Sequence, residues 1–268
     1  MPSARSATVL AALLALGRPT GARAEEPELR HGPGDLVVVG VSLGTTLALA
    51  LAKDELAPAA CRICGGNGFD DGARRLLVWS EPENARLASN IAVTAMPMAA
   101  AGWALLAGRR GPGLREGFWD GVVIAEAASL ALGLTSVVKL AVGRQRPYAV
   151  HGNWAQADRQ PQADDNLSFW SGHSAFTFAI ATSAGTIASM RGRDEAPWVW
   201  TAGLVAASAT GWFRIGADKH HLTDVLTGAA VGTAFGIGVP RLLHGRRDRE
   251  GGLALTLVPL PLGVAGTF

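Results

Sequence analysis

Two histidines, one aspartate, one lysine and two arginines stand out because each sits at the mouth of a long uncharged run. Lys139 and Arg146 lie in residues 139–147 (KLAVGRQRP), and Ser171, Gly172 and His173 in 168–173 (SFWSGH). Arg214, His220 and Asp224 lie in 214–224 (RIGADKHHLTD). Charges beside lipid-compatible sequence are costly and tend to be kept for function. Cations can hold an anion such as phosphate, an imidazole can attack it or protonate what leaves, and a carboxylate can orient an imidazole. The set reads as equipment for binding a phosphate and displacing a group from it.

The spacing sharpens this reading. Lys139 and Arg146 are seven residues apart, about two helical turns, so one helix face can hold both. His220 and Asp224 are four apart, so a helix beginning there would stack them. The chain reads K-x6-R-P, then S-G-H, then R-x5-H-x3-D. This ordered pattern resembles the type 2 phosphatidic acid phosphatase and vanadium haloperoxidase superfamily, over residues 119–243. Two positions depart from the family pattern. Trp170 stands where Pro is usual, and Phe213 where Ser is usual. Neither supplies a proton or the main charge, so they bear on substrate fit and phosphate hydrogen bonding, not on reaction type.

The resemblance and the residue chemistry together assign roles. His220 is the candidate nucleophile, since a neutral imidazole can attack phosphorus and form a phosphohistidine. Asp224 would hold its other ring nitrogen. His221 is the competitor, but its spacings to Arg214 and Asp224 do not fit the family pattern. His173 is the candidate general acid for the leaving oxygen. Ser171 and Gly172 open a helix whose N–H groups can cradle phosphate oxygens, and Ser171 can equally be a plain N-cap. Lys139, Arg146 and Arg214 should clamp the phosphate. Arg144 reads as a plain loop charge, and Pro147 as the end of the preceding helix. Asp164 and Asp165 read as solvated residues, not metal ligands. The chemistry calls for no metal and no cofactor.

The elements that must carry these residues are membrane helices. Of 268 residues, 49 % are apolar and 17 % charged, and the apolar ones are clustered. The formal net charge of +2 is too small to suggest a nucleic-acid partner. Apolar segments cover 36–52, 88–107, 118–142, 174–190, 198–213 and 225–243. The third contains Asp120, Glu126 and Lys139, so one of its faces must look into a bundle. Trp119, Trp170, Trp198, Trp200 and Trp212 cluster at segment ends as an aromatic belt would. The expected fold is all-α: a polytopic membrane bundle of about six transmembrane helices with the active site at one membrane face.

Arginines mark the orientation. Arg109, Arg110 and Arg115, then Arg191 and Arg193, then Arg241, Arg246, Arg247 and Arg249 fall between or after alternate segments. Such excess marks the cytoplasmic side, which puts all three motifs outward, toward the periplasm of a bacterial inner membrane. Residues 8–17 form an apolar run after Arg5, and Ala22-Arg23-Ala24 follows, so residues 1–24 resemble a signal peptide or leader. A cleaved leader and six full spans would put the motifs inside, so either the leader is retained or 36–52 does not cross. Residues 25–249 form the expected phosphatase domain. In the tail, 250–268, Leu253, Leu255 and Leu257 alternate like a strand without an assignable role. Cys61 and Cys64 are expected to form a local disulfide, since zinc would need two further ligands.

The expected activity is hydrolysis of lipid phosphomonoesters or pyrophosphates. The resemblance implies substrates such as phosphatidic acid, phosphatidylglycerol phosphate, undecaprenyl pyrophosphate or lipid A phosphate. A lipid phosphotransferase would use the same site. A vanadate-dependent haloperoxidase shares the anion pocket, though membrane spans weigh against it. A non-catalytic membrane protein could retain such a site. The oligomeric state is left open.

Overall fold

The computed structural model describes residues 26–152 and 162–245. The long helices are α1 (Pro33–Leu51), α4 (Pro82–Arg110), α5 (Leu114–Val142), α7 (Gly172–Met190), α8 (Ala196–Gly216) and α9 (Leu222–Gly238). Short helices α2 (Lys53–Leu56) and α3 (Gly68–Leu77) lie between α1 and α4, and α6 (Pro147–His151) follows α5. A 3₁₀ turn spans Ala163–Asn166, and α9 runs on into a π-helical turn, Val239–Leu243. No strand occurs among the described residues; the single bridge joins Ile63 to Arg144. The fold is all-α, with one long helix for each apolar segment.

Four of these helices are long and apolar enough to cross a membrane: α1, α4, α5 and the continuous Leu222–Leu243. The other two, α7 and α8, are less hydrophobic, and for α7 the reason is its place. Its residues are buried from Ser174 nearly to its end by α5, α8 and α9, so neighbouring helices set its composition, not lipid. Small residues permit that contact. A Cβ on Gly232 of α9 would lie 2.2 Å from the Ala175 carbonyl oxygen, and one on Gly236 would lie 2.0 Å from Thr182 Oγ1. With Gly228 one turn earlier, α9 presents a bare stripe against α7. The apolar core continues through Val123, Ile124, Ala127 and Ala131 of α5 onto Ile180 and Ile187 of α7. Outward, α1 exposes Leu36, Val37, Val41 and Leu47, as a lipid-facing helix should.

The acidic face of α5 is indeed turned inward. Asp120 is buried and takes Arg191 Nη2 at 2.6 Å and Arg193 Nη2 at 2.9 Å, while Arg193 Nε reaches Glu26 at 3.1 Å. Arg191 and Arg193 are therefore buried ion-pair partners and not loop charges. A carboxylate inside the bundle needs a counter-charge, and the α7–α8 turn folds under the bundle to supply it. Glu126 is likewise buried and meets His244 Nε2 at 2.8 Å.

α1 crosses in the same direction as α5. His31, just before α1, stacks on Trp119 near the start of α5 at 4.7 Å, and Pro58, beyond α1, packs at Gly143 after α5. The chain thus arrives at Glu26 on the end opposite the three motifs. The leader (1–24) and tail (250–268) lie outside the described residues, as do Arg246, Arg247 and Arg249. Cys61 and Cys64 form the expected disulfide, with Cα atoms 5.3 Å apart. That segment is stitched to the first motif by Arg62 N–H to Gly143 O (2.9 Å) and Gln145 N–H to Ile63 O (3.0 Å).

Candidate active site

The first motif is not one helix. α5 ends at Gly143, whose φ of 60° is left-handed and favours glycine. The chain turns there, so Lys139 stays on the last turn of α5 while Arg146 becomes the residue before α6. Pro147 starts that short helix instead of ending the previous one. The expected shared helix face is replaced by a turn that brings the two cations together through space.

Arg146 is buried and almost fully engaged. Its Nε donates to the Asp164 carbonyl at 2.8 Å, Nη2 to Asp164 Oδ1 at 3.0 Å, and Nη1 to the Lys219 carbonyl at 2.7 Å. Asp164 and Asp165 are thus structural partners and not merely solvated: Tyr148 donates its hydroxyl to Asp165 Oδ1 at 2.6 Å. Burial would raise the Asp164 carboxyl, but Arg146 and Lys139 overcome it and hold it at about 2. Lys139 Nζ donates to the Leu167 carbonyl at 3.1 Å.

In the second motif, Ser171 caps α7, accepting from Ser174 N–H at 3.3 Å. His173 sits on the first turn, its Nε2 3.2 Å from Asn90 Oδ1 of α4. Trp170 is buried and donates its indole N–H to Thr135 Oγ1 at 2.7 Å. Phe213, the other departure from the family pattern, packs edge-on against Trp79 at 5.8 Å.

In the third motif, Arg214 lies on the last turn of α8, is buried, and donates Nη1 to Ser89 Oγ of α4 at 3.2 Å. α9 begins at Leu222 with His221 as its N-cap, so His220 precedes the helix and is not stacked on it. Asp224 closes this start, accepting from His221 N–H at 3.0 Å on Oδ2. The same oxygen lies 3.6 Å from His220 Nδ1 and also accepts from Ser168 Oγ. His221 Nε2 meets the Gln145 carbonyl at 3.1 Å, so that ring is occupied away from the cations.

On its other side, His220 Nε2 is 3.3 Å from Arg146 Nη1. Burial pushes the His220 imidazole well below its usual pKa, and Arg146, Lys139 and Arg214 push it further, with His173 next. All the proposed phosphate-binding cations and both histidines therefore act on one another. The neutral ring keeps a lone pair at Nε2 and its proton at Nδ1, facing Asp224.

Arg144 is not the plain loop charge that its sequence position suggests. It is buried, donating Nη2 to Asp70 Oδ2 at 2.7 Å and Nη1 to Asp224 Oδ1 at 2.6 Å and to Thr223 Oγ1 at 2.8 Å. Asp70, Ser89, Asn90 and Ser168 are further site residues that spacing does not single out. Asp70 and Arg74 are four apart on α3, and the opposite face carries exposed Phe69 and Leu76. That two-faced pattern is the available signal.

A cavity of about 340 Å³ adjoins the site between α4, α5 and α7. Lys139, Gly172 and His173 line it together with Val93, Leu132 and Phe176, one to two turns deeper in the bundle. Among the described residues, one grouping could share a metal ion, Asp35, Glu126 and His244. It lies at the other end of the bundle.

The model of the PAP2 superfamily matches residues 120–248, which hold all three motifs. A lipid A 1-phosphatase from Porphyromonas gingivalis is 33 % identical over 124 residues, covering 46 % of this chain and 24 % of that protein. The match thus spans about a quarter of that relative's length. A solved structure, the first transmembrane PAP2-type phosphatidylglycerolphosphate phosphatase from Bacillus subtilis, aligns at 16 % identity with a TM-score of 0.46. That alignment covers 76 % of this chain and 93 % of that one. The matched residues, 120–248, hold the three motifs in order, so this part of the chain is similar to the PAP2 superfamily.

Proposed function

We propose that the protein is a membrane phosphatase that hydrolyses lipid phosphomonoesters or pyrophosphates through a phosphohistidine at His220. One observation carries this: His220 Nε2 faces a cluster of cations, and a cavity lined by Lys139 and His173 together with Val93, Leu132 and Phe176 opens beside those residues. Lys139, Arg146 and Arg214 hold the phosphate oxygens, aided by N–H groups at Ser171 and Gly172. His220 Nε2 donates its pair to phosphorus as the bond to the lipid oxygen breaks. That oxygen takes a proton from His173. Asp224 balances the positive charge forming on the His220 ring. A water then attacks phosphorus, gives a proton to His173, and the N–P bond breaks to release phosphate.

The cavity lining of Val93, Leu132 and Phe176 favours a substrate with hydrocarbon next to its phosphate. The lipid A 1-phosphatase among the relatives acts on such a molecule by name. Orientation follows from Arg109, Arg110, Arg115 and Arg241 at the end away from the motifs; we read that end as cytoplasmic and the site as periplasmic. Residues 25–249 would make up the phosphatase domain.

The test is phosphate release from proteoliposomes offered phosphatidic acid, phosphatidylglycerol phosphate, a polyprenyl pyrophosphate or lipid A, with His220→Ala as control. Release in ¹⁸O-water should give labelled phosphate. Unlabelled phosphate appearing on a lipid hydroxyl would show a transferase instead. No turnover on any of the panel would overturn the reading.

A further inference from the structure

One buried carboxylate at the catalytic end takes no part in the steps above. Asp70 lies on α3, outside the family match at residues 120–248. It is 1 % exposed. It accepts from Arg144 Nη2 at 2.7 Å, Thr223 N–H at 2.9 Å, Thr223 Oγ1 at 2.8 Å and Asn67 Nδ2 at 2.7 Å. Burial would raise its carboxyl, but the Thr223 and Arg144 hydrogen bonds outweigh burial and hold it below the ordinary range. Asp70 is therefore an anion inside the site.

We propose that Asp70 is a positioning residue for phosphoryl transfer, acting through Arg144 on Asp224. The inference rests on His220 being the nucleophile. A guanidinium facing a single carboxylate tends to engage both of its oxygens. Here Asp70 occupies Nη2, so Arg144 reaches Asp224 through Nη1 alone and only at Oδ1. Oδ2, which accepts from Ser168 Oγ and the His221 N–H, is left free of Arg144 and lies 3.6 Å from His220 Nδ1.

Charge points the same way. One guanidinium between two carboxylates leaves one net negative charge. That balances the positive charge arising on the His220 ring when Nε2 bonds to phosphorus. With Asp70 neutral, Arg144 would cancel Asp224 just where that charge is needed. α3 also grips the third motif ahead of His220, since Arg74 pairs with Asp218 through two bonds of 2.7 and 2.6 Å. Asp70 and Arg74 thus hold the nucleophile's loop on both sides.

The test is rapid-quench measurement of phosphohistidine formation, with ³²P-labelled lipid substrate and reconstituted full-length protein. Asp70→Asn should lower kcat and the labelling rate together by about tenfold or more, in line with other residues that orient a functional group from behind. KM should change little. A purely structural role would instead lower the labelled fraction while the rate per labelled site held. Asp70→Asn in an Arg144→Met background should add no further loss; an additive loss would overturn the route through Arg144. Should Asp70→Asn not fold, Arg144→Lys probes the same arm, because a single ammonium cannot bridge both carboxylates. Labelling of the Arg144→Lys variant at the wild-type rate would overturn the proposal. Absence of label in the wild type would remove the His220 reading itself, whereas a labelled wild type with equally fast Asp70→Asn overturns only the role of Asp70.

Discussion

Arg146 and His220 meet nitrogen to nitrogen, 3.3 Å apart. A guanidinium can only donate, so the imidazole nitrogen facing it must carry a lone pair. Protonating that nitrogen would break the contact and set a new cation among Arg146, Lys139 and Arg214. Burial and these neighbours hold His220 well below the ordinary histidine value of 6.5. A nucleophile works unprotonated, and a lowered pKa keeps it so to more acidic pH. The acid limb of kcat/KM that belongs to His220 should thus lie below 6.5. Arg146→Met removes the largest neighbouring charge and should move that limb to higher pH, on top of a lower rate. The substrate's own ionisation is shared by both proteins, so the displacement between profiles reads the histidine. Superimposable limbs would show that Arg146 does not govern it.

The two adjacent histidines should separate cleanly. His220→Ala should abolish turnover and the acid-labile, base-stable phosphate label. His221→Ala should leave much of both, because its ring is spent on the Gln145 carbonyl at 3.1 Å. Equal losses in the two variants would undo the assignment.

The orientation can be read from one position. Ala163 begins the 3₁₀ turn beside the site. With Cys61 and Cys64 changed to serine, Ala163→Cys should react with a membrane-impermeant thiol reagent in intact spheroplasts. Labelling only after lysis would reverse the topology.

Phosphoryl transfer here should need no added divalent ion, because Lys139, Arg146 and Arg214 supply the positive charge. Activity should survive excess EDTA and fall with vanadate, which can adopt the five-coordinate geometry of the transfer. Lys139→Ala and Arg214→Ala should lose activity and vanadate sensitivity together. Activity lost to EDTA and restored by magnesium would mean the phosphate has another electrostatic partner.

The glycine stripe makes a stability prediction. Gly232→Val would drive side-chain carbon into the Ala175 carbonyl, where even a Cβ lies at 2.2 Å. Overpacking of this kind costs about 1–3 kcal/mol. A thermal melt in detergent should show a lower Tm; an unchanged melt would mean that α9 can move off α7 at little cost.

The helices are legible in the sequence because lipid demands long apolar runs, and Lys139, His173, Arg214 and His220 stand out as candidates because short motifs along the chain carry them. Arg144 escapes for the same reason. Its defining partner, Asp70, lies 74 residues away on a short helix with no apolar run to announce it. Arg191 and Arg193 pass for interior-side loop charges because only the fold brings Asp120 and Glu26 to them. The turn at Gly143 is visible as a glycine, yet whether it breaks the helix depends on Pro58 and Arg62 packing against it. Spacing along a chain reports neighbours along the chain; the residues it misses all answer to neighbours across the bundle.

α7 and α9 meet along a glycine seam, where the Ser171, Ala175 and Ala179 carbonyls and the Thr182 hydroxyl come close to bare Cα atoms. His173 rides on the first turn of one and Asp224 on the first turn of the other. The gap between the candidate proton donor and the carboxylate proposed to hold the nucleophile is therefore set where carbonyls meet bare Cα atoms. A side chain added anywhere along that glycine seam would therefore change the width offered to a phosphate, however far from the site it lay.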